Sequence, residues 1–183
     1  MLVSIGPARR FSAAERAVVK RFVENGGRLI CMVGAEEARA SNDLLAEFGF
    51  HVPPSPVPPG ENVRETVPMT TLKAYRTRYL ELDGYDVFMR CYAPWPVECS
   101  GEDHGVLKRD MKGVPVIVIN PVGAGSVTLI GDTHFASNAN LAAEFDDDGD
   151  NARFWRWLLS GFSGEVWIPP KPKPTAEPAD EGA

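Results

Sequence analysis

The feature that most constrains this chain is one unbroken apolar run, Leu29-Ile30-Cys31-Met32-Val33, bounded by Gly26-Gly27 before it and Gly34 after it. A strand with one wet face alternates apolar and polar residues, so a run without alternation predicts a strand covered on both faces, the usual state of a parallel sheet. The residues upstream agree. Leu2-Val3-Ser4-Ile5 is a short apolar strand stopped at Gly6-Pro7. Ser12-Ala13-Ala14-Glu15 then forms a capping box, with the Ser oxygen accepting a helix amide and the Glu reaching back. Ala14, Val18, Val19, Phe22 and Val23 follow at helical spacing as the expected core face, and Gly26-Gly27 supplies a positive-φ stop. After Gly34 a second helix leads to Phe48, with Ser41 as its expected cap and Gly49 as its stop. Strand, helix, strand, helix in this order predicts right-handed crossovers. The expected fold class is α/β, a three-layer, open, mostly parallel sheet with helices on both faces and a C-terminal antiparallel hairpin element.

The character changes after His51. Five prolines between His51 and Gly60 make residues 53–61 a proline-rich loop. Tyr85–Tyr92 reads as a strand closed by Pro94 and Pro96 around Trp95. Val114–Asn120 and Ser126–Gly131 read as two strands joined through Pro121-Val122-Gly123-Ala124-Gly125 as a hairpin. Phe154, Trp157 and Leu158 mark the core face of a helix starting near Asp150. From Pro169 there are five prolines in fifteen residues and no large apolar side chain, which reads as a disordered tail, 169–183, after a domain of 1–168. Residues 65–83 are open to several readings: a lid, an extra hairpin or an interface. A doubly wound domain would normally place a strand and a helix before Leu2, so either the sheet is short on that side or upstream sequence is missing.

Charge and composition exclude several classes. A formal net charge of −6 opposes binding to a nucleic-acid backbone or an anionic membrane. No apolar run reaches the roughly 18 residues of a membrane span, and Met1-Leu2-Val3-Ser4-Ile5-Gly6 has neither the basic region nor the cleavage site of a signal peptide. Three cysteines, an odd number without a Cys-x-x-Cys pair, point to a reducing, cytoplasmic setting, or a periplasmic or membrane-associated one if upstream sequence is missing. A Cys91–Cys99 bridge is left open.

The stretch Leu2-Val3-Ser4-Ile5-Gly6-Pro7, the capped helix to Gly26-Gly27 and the strand from Arg28 resemble the class I glutamine amidotransferase-like (flavodoxin-like) fold. Gly125-Ser126-Val127-Thr128-Leu129-Ile130-Gly131-Asp132, continuing through Asn138 and Asn140, is similar to the uncharacterised branch found beside ABC-type transport and gliding-motility systems and in an intraflagellar-transport subunit. The resemblance covers Leu2–Phe50 and Val114–Leu159. It implies an α/β scaffold with its site at the strand ends. Amidotransferases of this fold hold a Cys nucleophile in a Gly-x-Cys-x-Gly elbow, which permits a strained strand-to-helix turn, and a late His-Pro-Glu. Here Leu29 stands where the first elbow glycine belongs, two residues separate Cys31 from Gly34, and His134 is followed by Phe135-Ala136 with no Glu. Cys31 therefore reads as a core thiol and His134 as a loop imidazole, and no residue is assigned to catalysis.

Ligands of open α/β sheets bind beyond the carboxyl ends of the strands. This makes Gly34, Asp132, His134, Asn138 and Asn140 the candidate ligand-binding residues, set against the simpler reading in which Asp132 and Asn138 cap the following turn. No metal and no cofactor is expected. The acidic run 144–150 places Trp155 where a calcium loop needs its bidentate Glu, and Cys91, Cys99 and His104 lack zinc-ligand spacing. Gly123-Ala124-Gly125 leads into a strand and is a turn rather than a phosphate loop. Trp155 and Trp157, two apart on one helix, cannot share a face, which suggests a contact surface. The expected function is a non-catalytic binding or scaffold domain with a protein partner or small-molecule ligand, part of a larger, transport-associated assembly, membrane-associated in one reading, with no membrane insertion by this chain. The alternative is a hydrolase or amidotransferase-type enzyme using His134 with Asp132.

Overall fold

The computed structural model describes residues 1–54, 70–73, 88–91, 94–109, 114–141 and 151–160. In chain order these form β1 (Leu2–Ile5), α1 (Ala13–Glu24), β2 (Arg28–Met32), α2 (Ala38–Leu45), a 3-10 turn (Ala46–Phe48), β3 (Phe50–His51), β4 (Thr70–Lys73), β5 (Phe88–Cys91), β6 (Glu98–Cys99), β7 (Gly105–Arg109), β8 (Pro115–Val122), β9 (Gly125–Ile130), α3 (Asn138–Leu141) and α4 (Asn151–Ser160).

The main sheet has the order β1-β2-β9-β8-β7. β1, β2 and β9 are parallel neighbours, and β8 pairs antiparallel with both β9 and β7. Four of the five strands thus run one way and β8 alone runs back. β3–β6 and β4–β5 form two small antiparallel pairs. The apolar run behaves as its lack of alternation requires. Ile30 and Met32 enter one apolar cluster with Ile117, Ile130, Phe135 and Phe154, while Leu29, Cys31 and Val33 enter another with Val23, Leu44, Phe48 and Leu129. Successive side chains of β2 face opposite ways, so both faces of this strand are packed.

The capping box at the start of α1 forms as its residues predict. Ser12 Oγ accepts the Glu15 N–H at 3.2 Å and Glu15 Oε2 accepts the Ser12 N–H at 2.8 Å. Arg9 adds a two-pronged pair to the same carboxylate, at 2.8 and 3.2 Å. The expected core face needs correcting. Val23 is buried and Val19 packs on the core, but Val18 is 64% exposed and Phe22 is 37% exposed. These two lie on the neighbouring stripe of the helix, which the sheet does not reach.

At its other end α1 meets the β8–β9 hairpin backbone to backbone. Ala124 N–H donates to Glu24 O at 3.0 Å, and Ser126 N–H donates to Gly27 O at 3.2 Å. This approach needs bare glycines: a Cβ on Gly125 would stand 2.1 Å from Gly27 O and 2.2 Å from Val23 O. The hairpin is tighter than expected, with only Gly123-Ala124 between its strands, and both strands belong to the main sheet.

α2 also starts earlier than expected. Glu37 holds the N-cap position and Ser41 is a buried helical residue whose Oγ donates to Glu37 O at 2.9 Å. Gly49, at φ +76, ends the 3-10 turn as predicted. Asn42 then holds β3 to α2 like a strand edge, donating to Val52 O at 2.9 Å and accepting from Val52 N–H at 3.0 Å. The strand expected over Tyr85–Tyr92 exists as Phe88–Cys91 among the described residues. The proline-rich loop, the acidic run and the tail lie outside them.

Candidate functional site

Adjacent parallel strands bring their carboxyl ends to one rim, and here β1, β2 and β9 end together. Gly6 N–H donates to Met32 O at 3.0 Å, and Val33 N–H donates to Ile130 O at 2.9 Å. These bonds bring Gly6, Gly34 and the turn from Gly131 onward side by side. The segment after β9 is folded by its own polar residues. Asp132, 2% exposed, accepts the backbone N–H of His134 through Oδ1 at 2.8 Å, and Ser137 N–H returns to His134 O at 2.9 Å. The Asp132 carboxylate therefore serves the turn, as the capping reading had it.

Two residues that sequence reasoning did not single out stand at the centre of the rim. Glu37 Oε2 accepts the Gly34 N–H at 3.0 Å. A Cβ on Gly34 would lie 3.2 Å from that oxygen and 3.9 Å from Thr133 Oγ1, and one on Gly6 would lie 3.5 Å from Thr133 Cγ2 and 3.6 Å from Glu37 Oε1. Gly6, Gly34, Glu37 and Thr133 thus form one cluster. Of the predicted residues, Gly34 lies in it and Asp132 and His134 flank Thr133 in sequence. Asn138 is exposed at the first position of α3, and Asn140 lies within that single-turn helix.

The thiols are placed elsewhere. Cys31 is 2% exposed on the α2 side of β2, and burial pushes its thiol up to about 12. Cys91 belongs to the apolar cluster on the opposite face, whereas Cys99 packs against the cluster that holds Cys31. All three are thiols, so the bridge left open between Cys91 and Cys99 is not formed. His104 is exposed in the turn before β7. Among the described residues no group of three or more His, Cys, Asp or Glu side chains is arranged to hold a metal ion. Trp155 is half-buried against the α4 cluster, its ring 6.4 Å from that of Phe135.

The chemistry available at the rim is hydrogen bonding by a carboxylate, a hydroxyl and backbone amides, on an open α/β sheet. The class that the fold defines is an α/β domain with a mostly parallel main sheet. Within it the chain belongs to the family described as a domain of unknown function (DUF4350), which matches residues 1–159. No curated protein matches the sequence. Among solved structures, the chain is similar to the mmIFT52 N-terminal domain at 18% identity, with a TM-score of 0.66 over 87% of this chain and 75% of that one. It is also similar to the Cytoplasmic Protein STM1381 from Salmonella typhimurium LT2, at 16% identity and a TM-score of 0.57 over 79% of this chain and 59% of that one. At such identities the likeness is one of fold. No helix among the described residues is long and apolar enough to cross a membrane.

Proposed function

We propose that this chain is a non-catalytic, amidotransferase-like binding module that serves as a scaffold for a protein partner within a larger assembly. The observation that carries this reading is the rim itself. The Gly34 amide, which in an anion-binding or elbow arrangement would face a ligand, is taken by the chain's own Glu37 carboxylate. The buried Cys31 thiol, held protonated at neutral pH, has no nucleophilic form to offer. The three-layer, flavodoxin-like description draws support from the two apolar clusters that β2 separates. The neighbour bearing the IFT52 name agrees with a role in a protein complex, and the transport-associated branch of the resemblance points the same way.

The hydrolase alternative asks Asp132 to orient the His134 imidazole; its Oδ1 holds the His134 backbone amide, so that role would fall to Oδ2. A substrate screen over glutamine, esters and amides separates the two readings. The binding module gives no turnover, and any turnover lost in His134→Ala overturns it. A parallel thermal-shift screen of nucleotides, sugars, amino acids and divalent ions looks for a small ligand at the rim. At ~100 times its dissociation constant a ligand adds ~2.7 kcal/mol, or about 5–11 °C for a domain of this size. A protein scaffold gives no such shift, and a shift abolished by His134→Ala would replace the protein partner with that ligand.

A further inference from the structure

The carboxylate at the centre of the rim is fixed in place but only half used. Glu37 Oε2 accepts the Gly34 N–H at 3.0 Å, and among the described residues no cation pairs with Glu37. Its Oε1 faces Gly6, 3.6 Å from the point where a Cβ on that glycine would stand. Thr133 Oγ1 stands 3.9 Å from the corresponding point on Gly34. Neither Oε1 nor the Thr133 hydroxyl makes a hydrogen bond among the described residues. Both residues are half-buried, and both oxygens are still open to solvent, so a ligand can reach them.

Gly34 is bare for the sake of that carboxylate. Its φ is not left-handed, so its backbone does not demand glycine. A Cβ there would instead crowd Glu37 Oε2 at 3.2 Å. The chain thus keeps room for a charged oxygen that it does not itself neutralise, and a half-buried carboxylate gains from a charged donor more than from a neutral one.

Charge and donor geometry decide what fits. Glu36 adds an exposed negative charge next to Glu37, so an anion is repelled. Arg9 and Arg10, the first cations after Gly6, are drawn off by Glu15 at 2.8 Å and Asp43 at 3.9 Å. Arg39, two residues beyond Glu37, does not share its side of the helix. The rim offers one carboxylate oxygen and one hydroxyl, because Oε2 is already engaged. A guanidinium gains most from two parallel bonds to both oxygens of a carboxylate, whereas a compact ammonium with three rotatable donors is served by single acceptors in different directions. We propose that Glu37 and Thr133 form a receptor for the ammonium group of a lysine presented by a protein partner. The ammonium donates to Glu37 Oε1 and Thr133 Oγ1 in the space left by Gly6 and Gly34. The inference rests on the reading of the chain as a binding module and names the partner chemistry that its rim takes.

The test uses the full chain and three five-residue peptides, acetylated and amidated at their ends. Glycines flank a central lysine, Nε-acetyl-lysine or arginine. In NMR titrations the Gly6, Gly34 and Thr133 amides should shift saturably with the lysine peptide, with a dissociation constant of about 1 mM or tighter. The acetylated lysine, which has lost its charge, should give no saturable shift, and arginine should bind about fivefold more weakly. Glu37→Gln keeps an acceptor for the Gly34 N–H and should melt with the parent while weakening lysine capture about tenfold. Thr133→Val should weaken it about threefold. Glu24→Gln removes a charge at the far end of α1 and should change nothing at the rim. Equal binding of the lysine and acetyl-lysine peptides overturns the proposal, as does arginine binding more tightly than lysine. No saturable shift up to about 10 mM, or an equal loss in Glu37→Gln and Glu24→Gln, overturns it too. Should Glu37→Gln melt lower, the acetyl-lysine peptide and Thr133→Val decide, since both leave Glu37 in place. The substrate screen judges the binding-module reading separately. Turnover there with lysine capture intact ends that reading and keeps this inference; no turnover and no preference for lysine does the reverse.

Discussion

Replacing Gly125 by alanine adds one methyl group at the point where α1 meets the β8–β9 hairpin. That methyl would sit 2.1 Å from Gly27 O and 2.2 Å from Val23 O. Both atoms are backbone, so neither can rotate away, and the hairpin must withdraw by about 1 Å to restore contact distance. Overpacking of this kind costs about 1–3 kcal/mol. The withdrawal also stretches the Ala124-to-Glu24 and Ser126-to-Gly27 hydrogen bonds, each contributing about 1 kcal/mol. The total, about 3–5 kcal/mol, corresponds to a fall in melting midpoint of about 6–20 °C for a domain of this size. Gly26→Ala is the control one turn away. Its φ of +94 makes alanine strained, but the nearest atoms stand 3.9 Å off, so the change carries strain without a clash. That strain costs about 1–2 kcal/mol, a fall of about 2–8 °C. Thermal unfolding of both variants by circular dichroism, repeated as urea titrations, measures the difference. If Gly125→Ala melts within about 2 °C of the parent, or above Gly26→Ala, the close-approach argument is wrong.

Three further outcomes follow from the geometry. Asn120, 7% exposed, donates to Phe48 O at 2.9 Å, so Asn120→Leu strands a buried carbonyl and should lower the melting midpoint by several degrees; an unchanged melt means water reaches that carbonyl. The Arg9 guanidinium, together with the Ser12 amide and hydroxyl, holds the Glu15 carboxyl down at about 2. A depressed carboxyl stabilises the fold above its unfolded pKa, near 4.5, and that contribution fades as pH falls from there through about 2. The carboxyl carbon of Glu15, followed by NMR, should titrate well below the other glutamates, and a midpoint of 4 or above (about the free value) contradicts the triad. Iodoacetamide at pH 8 should label half-exposed Cys99 well before Cys31, whose thiol burial raises to about 12; comparable labelling would mean that β2 opens.

What was legible in the sequence was local. Ser12 and Glu15 signal each other across one turn, Gly26 ends α1 with its own φ, and the run from Leu29 to Val33 declares two covered faces by its composition alone. What was missed depends on contacts distant in sequence. Helical spacing places Val18, Val19, Phe22 and Val23 on one broad side, but only packing against the sheet selects Val19 and Val23 from it. Ser41 is a good cap by type, yet a serine inside a helix can bond the carbonyl four residues back, and it does so with Glu37. β8 continues through Pro121 because its pairing with β7 ends at Ile119, so the missing N–H breaks no ladder there. Glu37 gave no signal as a rim residue because its role depends on Gly34 and on Thr133, nearly a hundred residues later. Topology alone brings the strand ends to one rim, while the carboxylate at its centre required the folded chain.

The pairing of β2 with β9 has a consequence for how the protein is made. Arg28 lies opposite Ser126, 98 positions further on. At translation speeds of about 5–20 residues per second, roughly 5–20 s separate the synthesis of the two strands. Throughout that interval a nascent chain presents Leu29–Val33, an unbroken apolar segment, with one edge unpaired and open to pairing with a neighbour. The middle third of the chain is thus also a delay. Shortening it would let β9 arrive sooner, and lengthening it would extend the time for which a newly made chain depends on chaperones.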